Sequence, residues 1–286
     1  MTLYNEHSLI GNTLDTIAGY TNHECDIYVC LSGPRFVEKN LETLQKIKNK
    51  EKNYNLFIHA NPSGINNTPS QIGAPIYHKF FNMDYDICVA GSPDYVLTEK
   101  NAFDLFINRS LNFLENKYMI SGVEFDGSGV RFAFCIFTRK VFDEVGYIDP
   151  NFIPSGKSDN DYHRRCLLTY TPNQKPEYYN DPGNWNTPLY GESIVIPSCH
   201  ISYSEHAALG LDYTNFLLKN SWDWLNSKYY FRKWGGYPGT EPGQGGSEKY
   251  LIPFNDPDVS LKITYEQVKN GYSKYDRDDQ EFCSIL

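Results

Sequence analysis

Apolar positions along the chain fall into short runs closed by turn-forming residues, and these runs alternate with stretches of helical spacing. Asp26 to Leu31 is a short apolar run ended by Ser32-Gly33-Pro34, the pattern of a buried strand followed by a turn. Val37, Leu41, Leu44 and Ile47 then recur at spacings of three and four with charges between them, which predicts an amphipathic helix. Asn55 to His59 reads as a second strand, stopped by Asn61-Pro62-Ser63-Gly64. Asp86 to Ala90 reads as a third, stopped by Gly91-Ser92-Pro93-Asp94. Phe103, Phe106, Ile107, Leu111 and Leu114 mark a long helix, with Thr98 as its expected cap. Arg131 to Thr138 predicts a fourth strand and Arg139 to Val145 a short helix. Strand and helix alternate, so the expected class is α/β, with a mostly parallel sheet flanked by helices.

The second half is less regular. Residues 171 to 192 are rich in Pro, Asn, Tyr and Gly and read as a long functional or lid loop. Ser193 to Pro197 predicts one more strand and Tyr213 to Tyr230 a helix. Gly235 to Gly246 holds six glycines and two prolines, which excludes regular structure there. The last thirty residues are polar and charged, the composition of an appendage.

Composition narrows the classes. With 40% hydrophobic and 15% aromatic residues, the 286-residue chain has material for a sizeable core and is not a disordered polymer. A net charge of −9 argues against a protein whose main task is gripping nucleic-acid backbone. No apolar run approaches the roughly 20 residues of a membrane helix, and the polar residues among the first 25 do not form a signal peptide, so the expected setting is the cytoplasm, of the host if the protein is viral. The seven cysteines form no CxxC pair and several lie inside apolar runs, so reduced core thiols are expected rather than a zinc or disulfide framework.

In an open parallel sheet, ligands bind beyond the carboxyl ends of the strands. Three strand ends here carry Ser32-Gly33, Asn61-Pro62-Ser63 and Ser92-Pro93-Asp94, and a phosphate-bearing ligand is the expectation for such an edge. There is no GxGxxG and no GxxxxGK[ST] to make that ligand a dinucleotide or a P-loop nucleotide. Asp94, between a strand and a helix, has two readings: a turn cap, or a carboxylate holding a divalent cation against a diphosphate. Asp159 and Asp161, two apart where a helix should start, read either as charges favoured by the helix dipole or as a general base with an orienting companion. His200 and His206 follow the apolar run at Ser193 to Pro197. A histidine there is either a hydrogen-bonding residue or part of a metal site.

Three stretches then fall together. Phe142-Asp143-Glu144-Val145-Gly146-Tyr147-Ile148-Asp149, followed by Ser158-Asp159-Asn160-Asp161-Tyr162, resembles the family-two glycosyltransferase pattern in which a short helix ending "vGxfD" leads to an "EDxD" element. The strand ending at Asp94 resembles the last position of that family's DxD motif. Lys228-Tyr229-Tyr230-Phe231-Arg232-Lys233-Trp234-Gly235-Gly236 is similar to a "YxxKWGG" signature near the C-terminus of many such proteins, phage-encoded ones included. The matches run in order over residues 26 to 255.

The resemblance implies a GT-A fold in one domain: an N-terminal extension over 1–25, a nucleotide-sugar and catalytic core over 26–210, and over 211–286 a helix, an irregular KWGG lid and an appendage. It implies transfer of a sugar from a nucleotide-diphosphate donor to an acceptor hydroxyl, usually with inversion, using Mn²⁺ or Mg²⁺. Carried over by position, Asp94 is a metal ligand with His200 as a second, Asp159 is the base and Asp161 its companion. Ser32, Gly33, Arg35, Asn61, Ser63, Ser92, Asp94, Lys233 and Trp234 are donor-binding. Ser92 stands where the family has the first DxD aspartate, Ser158 where it has the "ED" glutamate, and Ala60 where an aspartate commonly reads the base. Two other outcomes stay open: transfer to a hydroxymethylated pyrimidine in DNA, to which 23 tyrosines are suited by stacking, and a non-catalytic nucleotide- or sugar-binding module.

Overall fold

The computed structural model describes residues 2–3, 10–19, 21, 23–31, 37–48, 54–60, 77–80, 82, 85, 87–92, 95–123, 134–149, 152, 157–170, 191–200, 226–231, 233–237 and 261–270. Among these, strands β1 (Thr2–Leu3), β2 (Cys25–Leu31) and β3 (Tyr54–Ala60) form a parallel sheet in the order β1-β2-β3. Helices α1 (Ile10–Gly19) and α2 (Val37–Lys48) connect them. The strand β2 and the helix α2 match the expected runs to within one residue.

A second sheet takes the order β4-β7-β6-β8, from β4 (Val89–Gly91), β7 (Phe134–Phe137), β6 (Met119–Val123) and β8 (Gly191–Val195). Here β7 runs antiparallel to both β4 and β6, while β6 and β8 are parallel. It follows that β4, β6 and β8 share one direction and present their carboxyl ends at one edge. A third, two-stranded antiparallel sheet pairs β5 (Tyr95–Leu97) with β9 (Ser198–His200). The molecule is therefore mixed α/β with small sheets, in place of the one mostly parallel sheet expected. Between β6 and β7 the chain has only residues 124–133, short of the dozen or more that a parallel crossover needs.

Side chains from all three sheets share one apolar cluster, with Val29 and Leu31 from β2, Tyr95 from β5 and Phe134 and Ile136 from β7. Phe134 is its centre, stacked on Tyr95 at 5.3 Å and packed on Phe106 of α3 (Ala102–Ser110) at 5.0 Å. The segment expected as an N-terminal extension contributes β1 and buries Ile10 and Leu14 of α1 in this core.

Thr98 does not cap α3. That place is taken by Asn101, in left-handed backbone, while the Thr98 amide donates to the Pro197 carbonyl at 3.0 Å, because Tyr95–Leu97 is drawn into a strand. The long helix also stops at Ser110, leaving Leu111 exposed, and turns follow to Asn116. Of the helix expected over 213–230, the described part, 226–230, is helical. The described cysteines are free thiols. Burial pushes the Cys88 thiol up to about 12, which makes it an inert apolar filler. No helix among the described residues is long and apolar enough to cross a membrane.

Candidate functional site

Helix α4 (Arg139–Glu144) ends at a turn through Val145, Gly146 and Tyr147, and Asp149 follows. Helix α5 (Ser158–Tyr170) then begins behind Lys157, whose φ of 63° is left-handed backbone. A residue other than glycine holds that conformation only where its surroundings over-determine it, and the Lys157 carbonyl does accept the Asp161 amide at 2.9 Å. From Asp161 to Cys166 every residue of α5 is buried, charged ones included. Water solvates none of those charges fully, so each needs a partner.

The partners come from far along the chain. Lys233 Nζ lies 2.7 Å from Asp149 Oδ2 and 2.6 Å from Asp161 Oδ1, an ammonium clasped between two carboxylates. Trp234 Nε1 donates to Asp161 Oδ1 at 2.9 Å, Arg165 Nε donates to Asp161 Oδ2 at 2.9 Å, and Tyr229 Oη donates to Asp149 Oδ2 at 2.9 Å. Arg165 goes further: Nη1 donates to the Val145 carbonyl at 2.9 Å and Nη2 to that of Tyr147 at 2.8 Å. Tyr162 Oη closes the same turn on the Gly146 carbonyl at 2.8 Å. Aromatic faces line the cations, with the Arg164 guanidinium 4.9 Å from the Trp234 ring and Lys233 Nζ 5.9 Å from that of Phe152.

Asp149 and Asp161 balance Lys233 and Arg165, the condition for burying those four groups together, and the buried Arg164 adds a further positive charge against the Trp234 ring. Burial pushes the Asp161 carboxyl up, but the Lys233 ammonium and the Arg165 guanidinium outweigh it and hold the group below its usual range. Burial pulls Lys233 down, and Asp149 and Asp161 more than restore it. Asp161, Lys233 and Arg165 are therefore ionised at neutral pH.

Residues 261–270, within the stretch expected as an appendage, lie on this unit. Ile263 bridges the two residues that flank Gly146: the Tyr147 amide donates to the Ile263 carbonyl at 2.9 Å and the Ile263 amide to the Val145 carbonyl at 3.1 Å. Arg165 Nη1 also reaches the Leu261 carbonyl at 3.4 Å, and Ile263 and Val268 are buried, Val268 in helix α6 (Tyr265–Asn270).

The structure thus brings Asp161, Lys233 and Trp234 together, with their polar ends turned on one another rather than toward solvent. Asp159 sits one half-turn earlier on α5 and is partly exposed. Ser92 follows β4, half-buried, its carbonyl accepting the Tyr95 amide at 3.3 Å. His200 lies in register opposite Tyr95, the residue that follows Asp94 in the chain. Ser32, Gly33, Arg35, Asn61, Ser63 and Asp94 lie outside the described residues, as does the His200 side chain. Among the described residues no three His, Cys, Asp or Glu side chains converge as a metal site would need.

Asp149, Arg165 and Tyr229 were not read from the sequence as site residues. A signal existed: Asp161 and Arg165, and likewise Tyr229 and Lys233, stand four apart, the spacing that places two side chains on one helix face. No family model matches the chain, and no curated protein does.

Proposed function

We propose that the chain is a glycosyltransferase of GT-A type, moving a sugar from a nucleotide-diphosphate donor to an acceptor hydroxyl, with Asp159 as the general base. One observation carries the reading. Two of the three stretches that resemble family-two glycosyltransferases, the one holding Asp149 and Asp161 and the one holding Lys233-Trp234, interlock in a single buried network although Asp149 and Lys233 are 84 residues apart. Separate stretches matched by chance have no reason to meet. The network occupies the second carboxylate of the pair and leaves Asp159, in the first turn of α5, as the partly exposed one. A carboxylate so placed accepts a proton from an acceptor hydroxyl, which contributes roughly 10²–10⁴-fold to transfer.

Two further features support a donor at the sheet edge. The strands β4, β6 and β8 end at one edge, the usual ligand position in such sheets. The register sets His200 across from Tyr95, the residue after Asp94 in the chain, and an imidazole with a carboxylate is a nitrogen and oxygen donor pair suited to Mn²⁺. Such an ion, when bound, stabilises the charge that develops on a departing diphosphate.

The test is a panel of nucleotide sugars with and without Mn²⁺, scored for slow donor hydrolysis, followed by Asp159→Asn. The variant is expected to bind donor as the natural protein does and to lose about 10²–10⁴-fold in transfer. Unaltered transfer would remove Asp159 from the role, and a panel on which the natural protein turns over nothing would remove the activity.

A further inference from the structure

Lys233 is fully enclosed, and its three donors meet two carboxylates that belong to different segments. Asp149 stands at the exit of the turn after α4. Asp161 stands on the first turn of α5, and its amide closes that turn on Lys157. Joined through one ammonium, the two segments cannot shift independently without leaving a charge buried and uncompensated. Tyr229, one helical turn before Lys233, adds a second donor to Asp149 from the same face. The 226–237 stretch is therefore bolted to the α4–α5 connection at two points, and Asp159 lies between them in the chain.

We propose that Lys233 is a positioning residue: clasped between Asp149 and Asp161, it fixes the first turn of α5 and thereby where the Asp159 carboxylate stands. This moves Lys233 from contact with the donor to a role exerted through the helix, and it rests on Asp159 being the base. The reason such a device matters is geometric. A reacting group misplaced by about 1 Å loses on the order of 10²-fold in rate, and the left-handed backbone of Lys157, just before α5, persists only where its surroundings hold it.

Charge balance separates positioning from folding. Lys233→Met leaves the two carboxylates facing Arg165 alone and is expected to lower the thermal midpoint strongly. Adding Asp149→Asn removes one carboxylate along with the lysine, so Asp161 and Arg165 remain balanced and the midpoint should return most of the way. In this double variant three readouts are followed: hydrogen exchange of the amides at 158–161, the donor KM, and kcat for transfer. Exchange should stay several-fold faster than in the natural protein, and kcat should stay about 10–100-fold down with KM within about twofold.

Tyr229→Phe is the milder second variant, since it keeps the ring and removes one donor from Asp149. It should speed exchange of the same amides with little change in midpoint. Natural exchange at 158–161 in both variants, or natural kcat in a refolded double variant, overturns the proposal. A natural protein inactive on every nucleotide sugar instead overturns the enzymatic reading, and the exchange rates still decide whether Lys233 fixes the helix start.

Discussion

Helices α2 and α5 carry the same chemistry at the same spacing. In α2, Lys46 Nζ lies 2.6 Å from the Glu42 carboxylate, four residues before it; in α5, Arg165 Nε lies 2.9 Å from that of Asp161, again four before. The side chains of the first pair are 71% and 65% exposed, those of the second 1% and 0%. In α2 the pair decorates the wet side of a helix held by its apolar stripe, with Leu44 and Ile47 buried in the core. In α5 the ionic groups themselves face inward, and what packs around them is Tyr162, Tyr229 and Trp234. Distance alone does not rank the two pairs. An exposed pair exchanges water for a partner at almost no gain, whereas a buried one is coupled to the fold through the cost of an uncompensated charge.

The largest expected effect breaks the buried side. Asp161→Asn leaves Lys233 and Arg165 facing Asp149 alone, and removing one partner from a buried pair costs about 3–5 kcal/mol. The variant should show a correspondingly lower urea midpoint at pH 7. The pH dependence gives the sign. Because the folded protein holds the Asp161 carboxyl below its ordinary value of 3.8, its stabilisation is present in full above that value and vanishes as pH falls through the lower folded value. The gap between natural protein and variant should therefore be constant near neutrality and shrink in acid below 3.8. A gap that stays the same at every pH would mean that the carboxylate's charge is not what matters.

The contrast also explains what was readable in the amino-acid order. Apolar spacing marks α2 at Val37, Leu41, Leu44 and Ile47, and it marks β2, because in both a hydrophobic stripe and a buried face coincide. Around α5 the sequence shows only a helix start at Asp159 and Asp161, since Asp161, Arg164 and Arg165 look like solvent-facing residues until their partners are known. Trp234, which donates to Asp161, stands 73 residues away and Lys233 is its neighbour in the chain, beyond the reach of any local pattern. Motif likeness named Asp149, Asp161, Lys233 and Trp234 as belonging together, without indicating that they touch. Strand β5 is hidden for a related reason: it is three residues long and finds its partner at Ser198–His200, about a hundred residues on.

A middle-sized effect is expected where the buried network meets backbone. Gly146 has a φ of +78°, and a Cβ built on it would stand 1.9 Å from the Ile263 carbonyl oxygen. Gly146→Ala therefore meets two penalties. Left-handed backbone costs an L residue about 1–2 kcal/mol by itself, and the 261–263 segment must move away. With it goes the Leu261 carbonyl that Arg165 Nη1 reaches, while the bonds of Arg165 to Asp161 and Tyr147 stay. The thermal midpoint should fall by less than in Asp161→Asn, and limited proteolysis should cut near residue 261 faster than in the natural protein. Unchanged cleavage there would show that the segment is held by Ile263 and Val268 alone.

The smallest effect lies on the exposed side and is the sharper control. Glu42→Gln keeps the shape and the helix and removes the charge, so it deletes only the attraction to Lys46. That neighbour is already hydrated, and the exposed Glu42 has its carboxyl lowered by the Lys46 hydrogen bond and charge. Screening by salt and the entropy of two long side chains offset what the pair gains. The midpoint should not move beyond the error of a careful melt, at low or at physiological salt. A measurable loss would imply that Glu42 or Lys46 makes a contact that dry geometry does not credit to α2, and the ranking of the two helices by burial would then need a different cause. If Glu42→Gln is silent while Asp161→Asn unfolds the protein, the same four-residue spacing will have given opposite results with burial as the main variable.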